Sequence, residues 1–402
     1  MKLRSIFCLF LISFNLYGQI PNSWIGNYSA SLLLNDSVQM PVRFSIEQKG
    51  NANSVHIKNG AEDIVLINEH WNKDTFIVQF PNFDSELKLT PINQNELVGY
   101  WTNFNKTSTY NIPFFATLNQ KKQNNSDDYK KIAGRWETYF SAKPTIDDAG
   151  IMILEQKNDT IIGTVLTETG DYRFLEGRVN GADFYLSAFD GTHAFLLNGS
   201  LKNDAISGNF YSGKHYVTPF IGTKNDLFVL RNADSITKQI DGKPVTFSLK
   251  DIENNTYHFP NETTKNKVVI IQLMGTWCPN CMDETVFLEQ LYADYHQAGL
   301  EIISIGYEVG ADFTAQAAKI KRLQERYHIT HPLLVGGKAD KKIASAQFNM
   351  INEISAFPTA LYIGKDGRIK RIHTGFSGPG TGQLYTDFEK ETRLLIERLL
   401  AE

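Results

Sequence analysis

Cysteine is nearly missing from this chain of 402 residues: there are three, Cys8, Cys278 and Cys281. That count excludes a small secreted fold stapled by several disulfides. It also excludes a zinc site built from cysteines alone, which needs four. An excess of one charge is missing too. Forty basic residues against 44 acidic ones leave a net charge of −4, so nothing suggests nucleic acid or an anionic membrane surface as a partner. Long apolar runs are absent apart from one near the N-terminus, at 5–16. That run falls short of the roughly 20 residues needed to span a bilayer. What is present is ordinary for a folded protein. A composition 42% hydrophobic and 21% charged supplies substantial cores and is not that of a disordered chain. The length predicts two or three domains.

Lys2 and Arg4 precede the apolar run, and Tyr17-Gly18-Gln19 follows it. A basic start, a short apolar core and small residues after it read as a secretory signal peptide over 1–18, cleaved after Gly18. Cys8 lies inside the apolar run, not after it, so it is badly placed for lipidation. The expected mature chain is exported and soluble, is not inserted in a membrane, and keeps one pair of thiols.

From about residue 20 to 225 the sequence lacks helix-length periodicity. Short apolar runs such as FIVQF, MILEQ, IIGTVL and FYLSAF alternate with Asn, Asp and Gly clusters. This predicts antiparallel sheets in sandwich- or barrel-like units. The region also repeats. RFSIEQKGN (43–51) parallels MILEQKND (152–159), FIVQF (76–80) parallels FYLSA (184–188), LVGYW (97–101) parallels ISGNF (206–210), and PFFAT (113–117) parallels PFIGT (219–223). The offsets are 106 to 109 residues throughout. Two β units are expected, 19–120 and 129–225, joined by the polar stretch KKQNNSDD; one larger pseudo-symmetric sheet is the alternative. Gly26-Asn27-Tyr28 and Gly134-Arg135-Trp136 open the two copies, each aromatic expected to plug a core.

After residue 240 the pattern changes. VVIIQLM (268–274) reads as a strand buried on both faces. A helix follows Pro279 and stops at Gly299, then come the strand EIISIGYE (301–308), a helix at 317–327, and the strand PLLVGG. A helix over KKIASAQF, a hairpin across KDG and a closing helix at 383–401 complete an α/β layer fold.

The two remaining cysteines sit where the buried strand meets its helix. Cys278 is expected at the helix N-terminus, with Pro279 in the first turn, where a missing N–H costs nothing. Free backbone donors and the helix dipole favour a negative charge there. In such motifs thiol pKa values fall from about 8.5 to about 7 or lower, and 1.5 units correspond to about 2 kcal/mol. Cys281, one turn on and more buried, can resolve a mixed disulfide. Two inert readings compete. A disulfide across two residues restrains little chain. A metal site would need two further ligands, and His328 and His331, the only close histidine pair, straddle a helix end. Redox exchange is the reading that explains the pair.

Trp277-Cys278-Pro279-Asn280-Cys281 after a buried strand resembles the thioredoxin superfamily. VVIIQLMGTWCPNCMDE and the upstream GKPVTFSLKDIENNTYHF are similar, more narrowly, to the TlpA/ResA-type thiol–disulfide oxidoreductases of bacteria, over 240–402. TGDYRFLEG and SAFDGTHAFLL (169–197) resemble the β-rich leader of TlpA-like proteins of Bacteroidetes, to which no activity attaches. The resemblance implies a thioredoxin-like domain over 240–402, Cys278 as nucleophile and Cys281 as resolving thiol. It implies Phe357-Pro358-Thr359 as the cis-proline element that, with Trp277, meets the substrate chain. Glu284, three residues after Cys281, would move the resolving thiol's proton. It further implies a periplasmic location, protein disulfides as substrates, a membrane thiol donor of electrons, and no cofactor or metal. Two departures stand out. Gln272 occupies the place of thioredoxin's buried aspartate, and Pro-Asn replaces its Gly-Pro between the cysteines. A thiol peroxidase is the alternative reaction, but Ile271 and Gly275 replace the proline and threonine of the peroxiredoxin motif. A third reading makes the β repeats a client-binding module, with the redox step surviving deletion of 20–225.

Overall fold

The computed structural model describes residues 20–50, 52–72, 74–107, 109–119, 129–310 and 312–402. The signal-peptide reading, Cys8 and the polar stretch 121–128 fall outside them.

Two antiparallel sheets account for the first half. The first comprises β1 (Gly26–Asn35), β2 (Val38–Lys49), β3 (Ala52–Asn59), β4 (Glu62–Val65), β5 (Ile67–Asn72), β6 (Thr75–Gln79), β7 (Ser85–Asn93), β8 (Glu96–Asn103) and β9 (Asn111–Leu118). The second comprises β10 (Gly134–Tyr139), β11 (Ala149–Lys157), β12 (Thr160–Thr167), β13 (Gly170–Asp171), β14 (Leu175–Asn180), β15 (Asp183–Phe189), β16 (Ala194–Lys202), β17 (Ala205–Ser212) and β18 (Tyr216–Lys224). The orders match: β2-β1-β9-β8-β7-β6-β5 in one, β11-β10-β18-β17-β16-β15-β14 in the other. In the second, β12 pairs with both β11 and β14 and closes an eight-strand barrel, with β13 as a short flap on β12. In the first, β3 pairs with β4, no pairing joins β4 to β5 among the described residues, and the sheet is a half-barrel.

The repeat extends to side chains. Gly26 and Gly134 both take positive φ (151° and 126°) and open equivalent strands. Two residues on, Tyr28 and Trp136 are buried, and each donates to the carbonyl four residues upstream: Tyr28 Oη to Trp24 at 2.7 Å, Trp136 Nε1 to Ile132 at 2.9 Å. The aromatics plug the two cores as expected. Trp136→Ala should therefore cost about 3–5 kcal/mol, seen as a lower unfolding midpoint in denaturant.

The sequence predicted two units, and the structure joins them. Phe189, Ala194 and Leu196 of the barrel belong to the half-barrel's apolar cluster. Phe189 packs on Phe80 and Trp101, both with ring centroids 5.1 Å away. The Asn59 amide brackets the Phe189 backbone, donating to its carbonyl at 3.0 Å and accepting its N–H at 2.9 Å. The barrel thus covers the open side of the half-barrel.

The third sheet comprises β19 (Phe247–Asp251), β20 (Thr256–Phe259), β21 (Val268–Met274), β22 (Leu300–Glu308), β23 (Leu333–Lys338), β24 (Thr359–Ile363) and β25 (Ile369–Thr374), in the order β20-β19-β23-β22-β21-β24-β25. β21, β22 and β23 are parallel; β24 runs antiparallel to β21. Four helices complete it: α1 (Pro279–Tyr295), α2 (Phe313–Tyr327), α3 (Lys341–Gln347) and α4 (Gln383–Ala401). Every residue of β21 is buried. Val268 and Ile270 pack toward α1 and α4, while Val269, Ile271 and Leu273 face the cluster that includes α3. Helices on both faces explain the unbroken apolar run. α2 begins four residues before the sequence suggested, because Asp312 caps it by accepting from Ala315 N–H at 2.9 Å. No helix among the described residues is long and apolar enough to cross a membrane.

Candidate redox site

The loop between β21 and α1 is tied down residue by residue. A Cβ on Gly275 would lie 2.3 Å from Trp277 Nε1, so the close turn requires glycine. Thr276 donates its N–H and its hydroxyl to the two oxygens of Glu308, at 2.8 and 2.7 Å. Trp277 Nε1 donates to Tyr307 O at 2.9 Å, and Cys278 N–H to Gly275 O at 3.1 Å. Cys278 is then the N-cap of α1, with Pro279 in the first turn.

Cys278 Sγ accepts the Cys281 N–H at 3.3 Å and lies 3.5 Å from Phe357 O. Both thiols are free. Cys278 is 7% exposed and Cys281 is 0%, the order required of an attacking and a resolving sulfur. Burial, and then the neighbouring Cys278, push the Cys281 thiol well above its ordinary pKa.

The Phe357–Pro358 bond is cis, as the resemblance implied. Phe357 stacks on Tyr307 (5.2 Å) and meets Trp277 edge-on (6.1 Å). A groove of about 510 Å³ runs past them, lined by Trp277, Ser355 to Phe357, Ala339 to Lys342 and, from the barrel, Thr169. Trp277 and Phe357 thus line the groove beside the sulfurs. The Thr359 side chain does not. It is fully buried and its hydroxyl donates to Ala356 O at 2.9 Å.

Glu284 lies beneath the pair, 1% exposed, and burial pushes its carboxyl up to about 8. Gln272 Nε2 donates to Glu284 Oε2 at 2.9 Å, while Glu284 Oε1 has no hydrogen-bond partner. The amide's orientation is fixed from behind: Ser304 donates to Gln272 Oε1 at 2.8 Å, and His331 Nε2 touches the Ser304 hydroxyl at 2.9 Å. The glutamine that replaces thioredoxin's aspartate therefore presents a donor to Glu284. His331 is a buried partner of this network. Among the described residues no group of three or more His, Cys, Asp or Glu could hold a metal.

Several site residues escaped the sequence reading because they come from the β units or from strand ends. Phe83, on the loop after β6, packs in the apolar cluster that contains Cys278, Cys281 and Met282. Thr192 donates to Trp277 O at 3.3 Å. Asn280, between the cysteines, donates to Asp171 O at 3.2 Å and Phe376 O at 2.9 Å. Arg173 reaches Asp283 with Nε at 2.9 Å and Nη2 at 3.0 Å, and Glu62 with Nη2 at 2.7 Å. Both Asp171 and Arg173 belong to the TGDYRFLEG stretch, whose sequence signal says nothing of where it packs. Deletion of 20–225 would remove Phe83 from the cluster that holds the thiols, and Asp171, Arg173 and Thr192 from their contacts with Asn280, Asp283 and Trp277.

Residues 240–387 match the Redoxin family model. The chain is 28% identical over 145 residues to the thiol-disulfide oxidoreductase ResA of Halalkalibacterium halodurans, covering 36% of this chain and 73% of that protein. It is 28% identical over 137 residues to the ResA of Bacillus cereus, covering 34% and 70%. Among solved structures, a thioredoxin-family thiol:disulfide interchange protein of Chlorobium tepidum matches 40% of this chain and 99% of its own, with 19% identity and a TM-score of 0.30. The C-terminal part of this chain is a Redoxin domain of thioredoxin-like fold. It follows a half-barrel and a closed eight-strand barrel; Phe83 of the first packs in the cluster that holds the two thiols, and the second bonds to Trp277, Asn280 and Asp283 beside them.

Proposed function

We propose that the chain is an exported enzyme that reduces disulfides in periplasmic proteins through Cys278 and Cys281, fed by a membrane thiol donor. The C-terminal domain is a thiol–disulfide oxidoreductase domain of the thioredoxin superfamily. The periplasmic clients and the reductive direction are the proposal, as are the segments 1–18, 19–120, 129–225 and 240–402 as signal, two β units and redox domain. The supporting observation is the free Cys278 at the α1 N-terminus, hydrogen-bonded by Cys281 N–H and beside Phe357–Pro358.

The exchange needs no cofactor. The Cys278 thiolate attacks one sulfur of a client disulfide; a mixed disulfide forms, and the other client sulfur leaves and takes a proton. Cys281 gives its proton toward Glu284 and attacks Cys278 Sγ. The internal disulfide closes and the second client sulfur is released, so two electrons have passed to the client. A carboxyl near 8 can both give and take a proton close to neutral pH.

Insulin-disulfide reduction tests this reading. Wild-type protein should accelerate precipitation of the insulin B chain, and Cys278→Ala should run at the uncatalysed rate. Equal turnover by both would overturn the reading. Export is tested separately: protein from a periplasmic fraction should begin at Gln19, and an N-terminus at Met1 contradicts it.

A further inference from the structure

The TGDYRFLEG stretch has no activity in the resemblance that drew attention to it, yet the barrel sets it against the catalytic helix. We propose that the second β unit completes the redox site: Asp171 and Arg173 grip the first turns of α1 through Asn280 and Asp283 and so set the thiol–disulfide poise of Cys278 and Cys281. The proposal rests on the oxidoreductase reading above.

The fit is close on both sides. Gly170, with φ +141°, sits where a Cβ would lie 2.7 Å from Asn280 Nδ2 and 3.1 Å from Phe376 O. A Cβ on Gly375 would meet the Thr169 carbonyl carbon at 2.6 Å, and one on Gly380 that of Arg173 at 2.8 Å. Asp171 Oδ2 accepts Gly378 N–H at 2.7 Å and lies 3.4 Å from Asn280 Nδ2. Arg173 also stands 3.9 Å from Asp190, which pairs with His193 at 3.4 Å. One guanidinium, 15% exposed, thus faces carboxylates from all three sheets' units: Glu62, Asp190 and Asp283.

These charges act on the couple because its reactive form, the thiolate, is charged. Oxidation joins the two Sγ atoms and gives up two electrons and two protons; reduction restores two thiols, of which Cys278 must ionise to attack. Asn280 lies within the motif, and Asp283 is five residues along the helix, about 7.5 Å of rise from Cys278. In a buried setting, charges at that range still interact. Carboxylates here disfavour the thiolate and Arg173 favours it. The other titratable groups near the pair are Glu284 on α1, Glu308 beneath Thr276, the Lys319–Asp84 pair beyond it, and His193 on the barrel loop. None of them is altered in the test.

The experiment equilibrates full-length protein with glutathione buffers and follows the pH profile of iodoacetamide alkylation at Cys278. Asp171→Asn and Asp283→Asn should each move the profile to lower pH and make the couple more oxidising, by about threefold or more in the equilibrium constant. Arg173→Met should move both the opposite way. A merely structural joint, loosened by any of these changes, would shift all three variants in one direction. If Arg173→Met does not fold, the two Asp→Asn variants decide by themselves. Shifts of one common sign among folded variants, or no shift in the Asp→Asn pair, overturn the proposal. Poise is measured without a client, so the absence of insulin reduction by wild-type protein sinks the oxidoreductase reading and leaves this result distinct.

Discussion

Cys281→Ala should accumulate a covalent mixed disulfide with its substrate. Without the resolving sulfur the first exchange still proceeds at Cys278, which keeps its N-cap position and the backbone N–H of residue 281. Release then waits on an external thiol. Multiple turnover should fall by about 100-fold or more, while the first-turnover burst survives. The adduct should appear on a non-reducing gel and vanish with reductant. Cys278→Ala should give neither burst nor adduct, because Cys281 is fully buried and its thiol is pushed well above its ordinary pKa, chiefly by burial. Equal adduct formation by the two variants would reverse the assigned roles.

Stability should fall as pH rises from about 5 to 8, the opposite of the common acid-labile pattern. Four buried carboxyls have folded-state pKa values above their unfolded ones, each mainly through burial. Asp171 and Asp283 rise to about 6, Glu308 to about 7 and Glu284 to about 8. For a raised pKa the folded state binds more protons than the unfolded one. The stabilisation is fully present below the unfolded pKa and is lost as pH climbs through the folded one. The window here runs from about 4 to about 8. Glu284 contributes most, of order 3–5 kcal/mol by linkage. Carboxylates shifted the other way close the window in acid. Asp190, for example, is lowered because its partners His193 and Arg173 outweigh its burial. Melting temperature should therefore peak in mild acid, and Glu284→Gln should flatten the decline toward pH 8. A melting temperature that rises from pH 5 to pH 8 contradicts this.

Much of the redox domain was legible because its signals are local. An apolar run, a Trp-Cys-Pro start and a Gly stop mark strand, site and helix end within 32 residues, and α4 runs Gln383–Ala401 as the periodicity predicts. The repeat was legible through offsets confined to 106 to 109 residues, and Gly26 with Gly134 supplied the matching strand openings. Barrel closure was not. Whether β12 pairs onward to β14, or β3 stops at β4, depends on long-range register that alternation does not encode. The same holds for the site. Cys278 and Pro358 carry motif signals, whereas Glu308 acts from a strand end through Thr276, and Arg173 reaches Asp283 across 110 positions in sequence. Thr359 shows what adjacency leaves unread: its place after the cis-proline is plain in the sequence, but not that its hydroxyl turns inward to Ala356 O.

The central claim is that Cys278 and Cys281 form an exchanging couple. Titrating the purified protein against glutathione redox buffers and counting free thiols by mass spectrometry measures it directly. The pair should oxidise and reduce reversibly by two electrons, with a midpoint between about −270 and −120 mV, the range of exchange-active dithiols. A pair that stays reduced throughout, or a disulfide that resists reduction below about −300 mV as structural ones do, contradicts the account.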